Sequence, residues 1–137
     1  VDSESAEKFI YRVVVMIKGV KANLIWVSNL EASRDFYEQK LGFRCLEYAP
    51  DFGFLKMSLG ESIFYLETPR PEHESCPHVK IGGRSSGIID VDDIQATVAG
   101  LALINVKIVQ EARQEFWGGW TAIVADPDGN QHVLVEG

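Results

Sequence analysis

Apolar positions recur along the chain in two similar blocks. In the first, the apolar run Leu24 to Val27 is followed by Ser28 and, three residues on, by Glu31. That is the spacing of a capping box, in which a hydroxyl accepts from a free helix N–H and the acid reaches back. It predicts a helix running to about Leu41, with Gly42 as the stop signal. Strand-like segments follow at 43–49, 53–59 and 62–68, with Gly60-Glu61 as a tight turn. In the second block Ile88 to Val91 is followed by Asp92 and Gln95, with the same capping chemistry. Ile94, Val98 and Leu101 then fall at i, i+4 and i+7, one apolar helical face. Strand segments follow at 106–113, 119–125 and 131–136, with a turn at Asp128-Gly129.

The order is therefore strand, helix, three strands, twice over, with Val91 lying 64 residues after Val27. The fold class is α+β: two βαβββ modules forming a curved mixed β-sheet cleft, with the helices on the outside. Each sheet buries one face under its helix and has one face left over, and two leftover faces placed together enclose a cleft. The modules span about 17–68 and 85–136. The stretch 69–84 carries three of the five prolines and Gly82-Gly83, and reads as the linker. Residues 16–137 form a single domain. For residues 1–15, two readings stand: a leader foreign to the domain, or an extra element around Phe9 to Val15 at a subunit contact.

Composition narrows the partners. A hydrophobic content of 46% supplies a sizeable core. With 13 basic and 20 acidic residues the net charge is −7, which disfavours nucleic acid and favours a cationic small molecule. Two cysteines, Cys45 and Cys76, do not make a disulfide framework, and Cys45 reads as a small hydrophobe buried in a strand. No apolar run is long enough to span a membrane, and no secretory signal is present. A reduced, cytoplasmic setting is expected.

Two segments carry a resemblance. Val27-Ser28-Asn29-Leu30-Glu31-Ala32-Ser33-Arg34-Asp35-Phe36-Tyr37, with Leu41-Gly42-Phe43, and Asp126-Pro127-Asp128-Gly129-Asn130 resemble the opening and closing signatures of the vicinal oxygen chelate superfamily. That superfamily includes glyoxalases, bleomycin-resistance proteins and extradiol dioxygenases. The resemblance covers about residues 17–136 and implies the paired βαβββ fold. The stretch Glu115-Phe116-Trp117-Gly118-Gly119-Trp120 before the Asp-Pro-Asp-Gly turn is most similar to the bleomycin-resistance members. Those bind a bulky cationic antibiotic between two subunits and do no chemistry on it.

Enzymes of the superfamily hold a metal through His, Gln or Glu at four strand positions. Here those positions read Ala22, Tyr65, Ser86 and Val133. Methyl and isopropyl groups cannot coordinate, and serine is a poor ligand for a divalent ion. No metal and no other cofactor is expected. A slip of one residue brings in His132, but on the opposite sheet face, where a hydrogen-bonded structural role is expected. His73, Glu74, Cys76 and His78 cluster in the linker, too tightly for one tetrahedral ion, and read as a solvated loop.

Strand alternation assigns the cleft walls. Ala22, Leu24 and Trp26 share a face, as do Ile63, Tyr65 and Glu67, then Ser86, Ile88 and Asp90, then Gln131, Val133 and Val135. Phe52 and Phe54 lie on the third strand, and Trp117 and Trp120 at the mouth of the seventh. The candidate ligand-binding residues are Trp26, Phe54, Tyr65, Glu67, Asp90, Trp117 and Trp120, with no catalytic residue assigned. Rings that stack and carboxylates that pair suit a cationic or aromatic small molecule. The first reading is thus a metal-free protein that sequesters such a compound in the cleft of a homodimer, without turnover. The alternative is a glyoxalase- or dioxygenase-like enzyme with an atypical metal site, or with Glu67 or Tyr65 in acid–base catalysis. A third reading is a subunit whose cleft is vestigial.

Overall fold

The computed structural model describes residues 5–8, 16–70 and 80–137, with backbone alone at 84–86. The linker cluster His73, Glu74, Cys76 and His78 and the segment Phe9 to Val15 lie outside the described residues. The first module runs β1 (Asn23–Trp26), α1 (Leu30–Asp35) continuing into a π-helical turn (Phe36–Lys40), β2 (Arg44–Ala49), a short 3₁₀ turn (Pro50–Phe52), β3 (Phe54–Leu59) and β4 (Ser62–Glu67). The second runs β5 (Arg84–Asp90), α2 (Ile94–Leu103), β6 (Lys107–Gln114), β7 (Trp120–Ala125) and β8 (Gln131–Glu136). These are two four-stranded mixed sheets, ordered β1-β4-β3-β2 and β5-β8-β7-β6. In each, the first strand runs parallel to the last and the other pairs are antiparallel. The architecture is α+β with two βαβββ modules.

Each helix starts one residue later than the capping-box pattern predicts. The caps are Asn29, whose side-chain oxygen accepts from the Ala32 amide at 2.9 Å, and Asp93, which accepts from the Ala96 amide at 3.0 Å. Both residues are extended, so their side chains reach the open end of the helix. Ser28 is thereby released for another partner. The first helix ends as the glycine predicts: Gly42 has φ +77°, and the Phe43 amide bonds back to the Tyr37 carbonyl at 2.8 Å.

One face of each sheet is buried. Ile25, Leu55, Met57, Phe64 and Leu66 of the first sheet join Ala122, Val124 and Leu134 of the second in a single core. Phe36 and Tyr37 contribute from the first helical segment, and Ile94, Val98 and Leu101 from α2 on the predicted stripe. Cys45 is half-buried and packs against this core from β2. Glu136 at the end of β8 accepts from the Ile94 amide at 2.7 Å, tying α2 to its sheet. No helix among the described residues is long and apolar enough to cross a membrane.

The modules are joined by the turn 126–130. Buried Asp126 accepts at one oxygen from the Asp128 and Asn130 amides, at 2.9 and 2.8 Å. At the other it accepts from the Tyr37 hydroxyl at 2.7 Å and the Asn130 side-chain amide at 2.9 Å. Asn130 also donates to the Trp26 carbonyl and accepts from the Gly82 amide. Asp128 accepts from both the backbone amide and the hydroxyl of Ser28. Gly82 allows the closest approach: at φ +94°, a β-carbon there would lie 2.8 Å from the Asp128 carbonyl oxygen.

The Tyr37 hydroxyl also meets His132 Nε2 at 2.6 Å. Since its one proton goes to Asp126, His132 must carry hydrogen on Nε2 and donate. Burial first, and the Asp126 charge second, push the Tyr37 hydroxyl far above its ordinary pKa, so it stays protonated. Burial pushes His132 below its ordinary 6.5, with Asp126 partly opposing.

Two outcomes are expected. Tyr37→Phe removes one donor to a buried carboxylate and should lower unfolding free energy by about 1.5–3 kcal/mol, read by urea denaturation at neutral pH. His132 is neutral in the fold but takes a proton near pH 6.5 when unfolded. Stability present above that pH is therefore lost on acidification below about 6.5, with a slope approaching about 1.4 kcal/mol per pH unit. A His132→Gln variant should show a flatter profile between pH 7 and 5.5; an unchanged slope would assign the effect elsewhere.

Candidate functional site

The other face of each sheet is open. On the first sheet, register sets Trp26, Glu67 and Phe54 side by side across β1, β4 and β3. The adjacent row is Leu24, Tyr65 and Lys56. The Phe54 and Tyr65 rings lie 6.1 Å apart at 49°, and the Lys56 amine sits 5.9 Å over the Tyr65 ring. Glu67 is thus bracketed by aromatic side chains, with a cation one row away. These side chains are half-buried, and Leu24 is 49% exposed. Four of the predicted site residues, Trp26, Phe54, Tyr65 and Glu67, are brought together. Lys56 was not among the predicted residues, although it lies two positions from Phe54 on a strand and so shares its face. Phe52 falls in the 3₁₀ turn, 67% exposed, rather than on the strand.

On the second sheet the rows on this face are Ile88, Val133, Ile123 and Gln110, with Ile123 itself buried, then Asp90, Val135, Thr121 and Arg113. Gln110 donates to the Thr121 hydroxyl at 3.2 Å, and Thr121 donates to Glu115 at 2.6 Å. Arg113 donates to the same carboxylate at 2.9 Å. The Thr121 hydrogen bond, and next that from Arg113, hold Glu115 below the ordinary carboxylate range. Asp90 is therefore on the open face, as alternation predicts, but on the second sheet, and Ile88 beside it is 67% exposed.

The two tryptophans part company. Trp120 pairs with Glu136 and alternates with Thr121, which puts it on the buried side, packed against the core. That placement takes it out of the predicted aromatic wall. The physical reason is register: the strand begins at Trp120, and Ala122 and Leu134 continue the same buried face. Trp117 stays in the β6–β7 hairpin, half-exposed, with its ring laid over Gly119; a β-carbon at Gly119 would fall 1.8 Å from a ring carbon.

At the positions where related enzymes hold a metal, the donor set does not fit one. Ala22 and Val133 have no donor atom, and Tyr65 offers a phenol engaged in the aromatic row. Among the described residues, no three His, Cys, Asp or Glu side chains converge. His132 faces the core, 2% exposed and hydrogen-bonded to Tyr37, the structural role its strand parity predicts. Beside it, a cavity of about 540 Å³ opens between the modules on the helix side, lined by groups that include Lys40, Phe43, Phe64 and Leu134.

A family model described as the Glyoxalase/Bleomycin resistance protein/Dioxygenase superfamily matches residues 17–134. Among solved structures, the chain is similar to a member of that superfamily from Sphaerobacter thermophilus DSM 20745. The two share 28% identity over 89% of this chain and 99% of the other, with a TM-score of 0.76. It is also similar to TnmS3, an antibiotic binding protein from Streptomyces sp. CB03234, at 25% identity over 88% and 96% of the chains and a TM-score of 0.69. TioX from Micromonospora sp. ML1 shares the fold, at 19% identity over 87% and 98% and a TM-score of 0.72. No curated protein matches the sequence significantly.

The Trp117 placement makes one outcome specific. Gly119→Ala must push the indole off the hairpin into solvent, so it should red-shift the part of the tryptophan emission that Trp117→Ala removes, with strand content by circular dichroism preserved. Emission unchanged in Gly119→Ala would show that the ring does not rest there.

Proposed function

The chain belongs to the glyoxalase/bleomycin resistance protein/dioxygenase superfamily, and on that premise we propose that it is a metal-free binding protein for a cationic aromatic small molecule. The observation that carries this reading is the row Trp26, Glu67 and Phe54, with Tyr65 in the next row. A flat ligand stacks on the rings, and its positive group pairs with Glu67. Similarity to an antibiotic binding protein is consistent with a natural-product ligand. Binding without turnover is the reading that fits a site offering aromatic faces and a carboxylate, with Ala22 and Val133, which carry no side-chain donor, at two of the family's four metal positions.

The cleft is completed by a second copy. Leu24 and Ile88 leave apolar surface exposed on the two open faces. Setting the first sheet of one subunit over the second sheet of another covers both. It also brings the partner's Asp90 toward the aromatic row and places Trp117 at the cleft mouth. The net charge of −7 draws a cationic ligand toward it.

Titration with bleomycin and with a panel of cationic aromatic antibiotics, followed by tryptophan fluorescence, tests the reading. Binding at one or two molecules per dimer is expected. Tyr65→Ala and Trp117→Ala should each weaken it by about 3- to 10-fold, and Glu67→Gln should weaken cationic ligands selectively. Metal content near one ion per chain in protein purified without chelator, or a monomer at micromolar concentration by light scattering, would overturn it.

A further inference from the structure

We infer that the cavity between the modules, bordered by Ile88 and Asp90 but distinct from the aromatic row of Trp26, Glu67 and Phe54, is a second binding site for an amphipathic monoanion: an apolar body of about two fused rings bearing one carboxylate or sulfonate. At about 540 Å³ the cavity is far larger than a packing void and falls within the range of small-molecule pockets. Its floor is apolar, built from Phe43 and Phe64 of the first module and Leu101 and Leu134 of the second. A molecule seated there touches both modules at once.

Charge selects the anion. Lys40 lines the cavity, half-buried, and no carboxylate among the described residues lies within 4 Å of its amine. Asp90 also borders the space, but it pairs with Val135 and so directs its carboxylate to the open face of the sheet. Lys40 is delivered by an unusual element. It is the last residue of the π-helical turn, where the Leu41 amide reaches back five residues to the Phe36 carbonyl. Such turns are rare and recur at functional sites. On the far wall, Gly87 lies where β5 loses register with β8. A β-carbon there would already touch the Phe64 ring at 3.8 Å, so any longer side chain competes for the same space.

The full chain is titrated with 8-anilinonaphthalene-1-sulfonate and, separately, with the uncharged N-phenyl-1-naphthylamine. Saturable binding of the anion at one per chain is expected. Gly87→Leu should weaken both probes by at least about tenfold. Lys40→Gln should weaken only the anion, by about 3- to 10-fold, with the loss shrinking at high salt. Tyr65→Ala, on the open face, should leave both unchanged. Should Gly87→Leu not fold, Thr97→Leu narrows the cavity from α2 and carries the same expectation. The proposal is overturned by anion binding that is non-saturable, that is insensitive to Lys40→Gln, or that is lost in Tyr65→Ala.

Discussion

The hydrogen bond from Tyr37 to Asp126 is the join on which the rest of the structure depends. The tyrosine comes from the end of the first helix and the aspartate from the last turn of the chain, 89 residues later. Asp126 also holds its own turn through the Asp128 and Asn130 amides. That shaped turn then presents Asp128 to Ser28 and Asn130 to the Trp26 carbonyl. A buried carboxylate is costly unless fully hydrogen-bonded, and here four donors meet it. Losing one donor leaves the charge undersolvated in the core, so the cost falls on the joining of the modules rather than on either sheet alone.

That join decides which faces are buried. The Tyr37 ring packs edge-on against Phe36, Phe43 and His132, drawing the helix sides of both sheets into one core. The faces that in related enzymes carry metal ligands are left looking outward. The same constraint explains why a protein of this size has apolar surface on its sheets: the chain alone cannot cover both sides of two sheets.

The open faces and the inter-module cavity differ in chemistry as well as place. The first sheet offers rings around Glu67, with Lys56 one row away, an aromatic surface of mixed charge. The cavity offers an apolar floor with one amine, Lys40, supplied by the π turn. Strand parity shapes both, apart from Lys40, which the helical segment supplies. A residue on one side of a strand serves the outer face, and its neighbour serves the core.

Much of this was legible in the chain itself. Among the described residues, periodicity located the eight strands and both main helices to within a few residues, because apolar spacing of two and of three to four is imposed by backbone geometry. Alternation also placed Trp26, Tyr65, Glu67 and Asp90 on open faces. It failed where an element boundary was one residue off: the caps fell to Asn29 and Asp93, and Trp120 turned inward. Short-range pattern therefore determined the elements and the residue types available at the site. Tertiary structure decided the rest. The pairing of Tyr37 with Asp126, the burial of His132 and the cavity beside Lys40 all join residues far apart in sequence, and no local spacing encodes which distant partners satisfy a buried polar group.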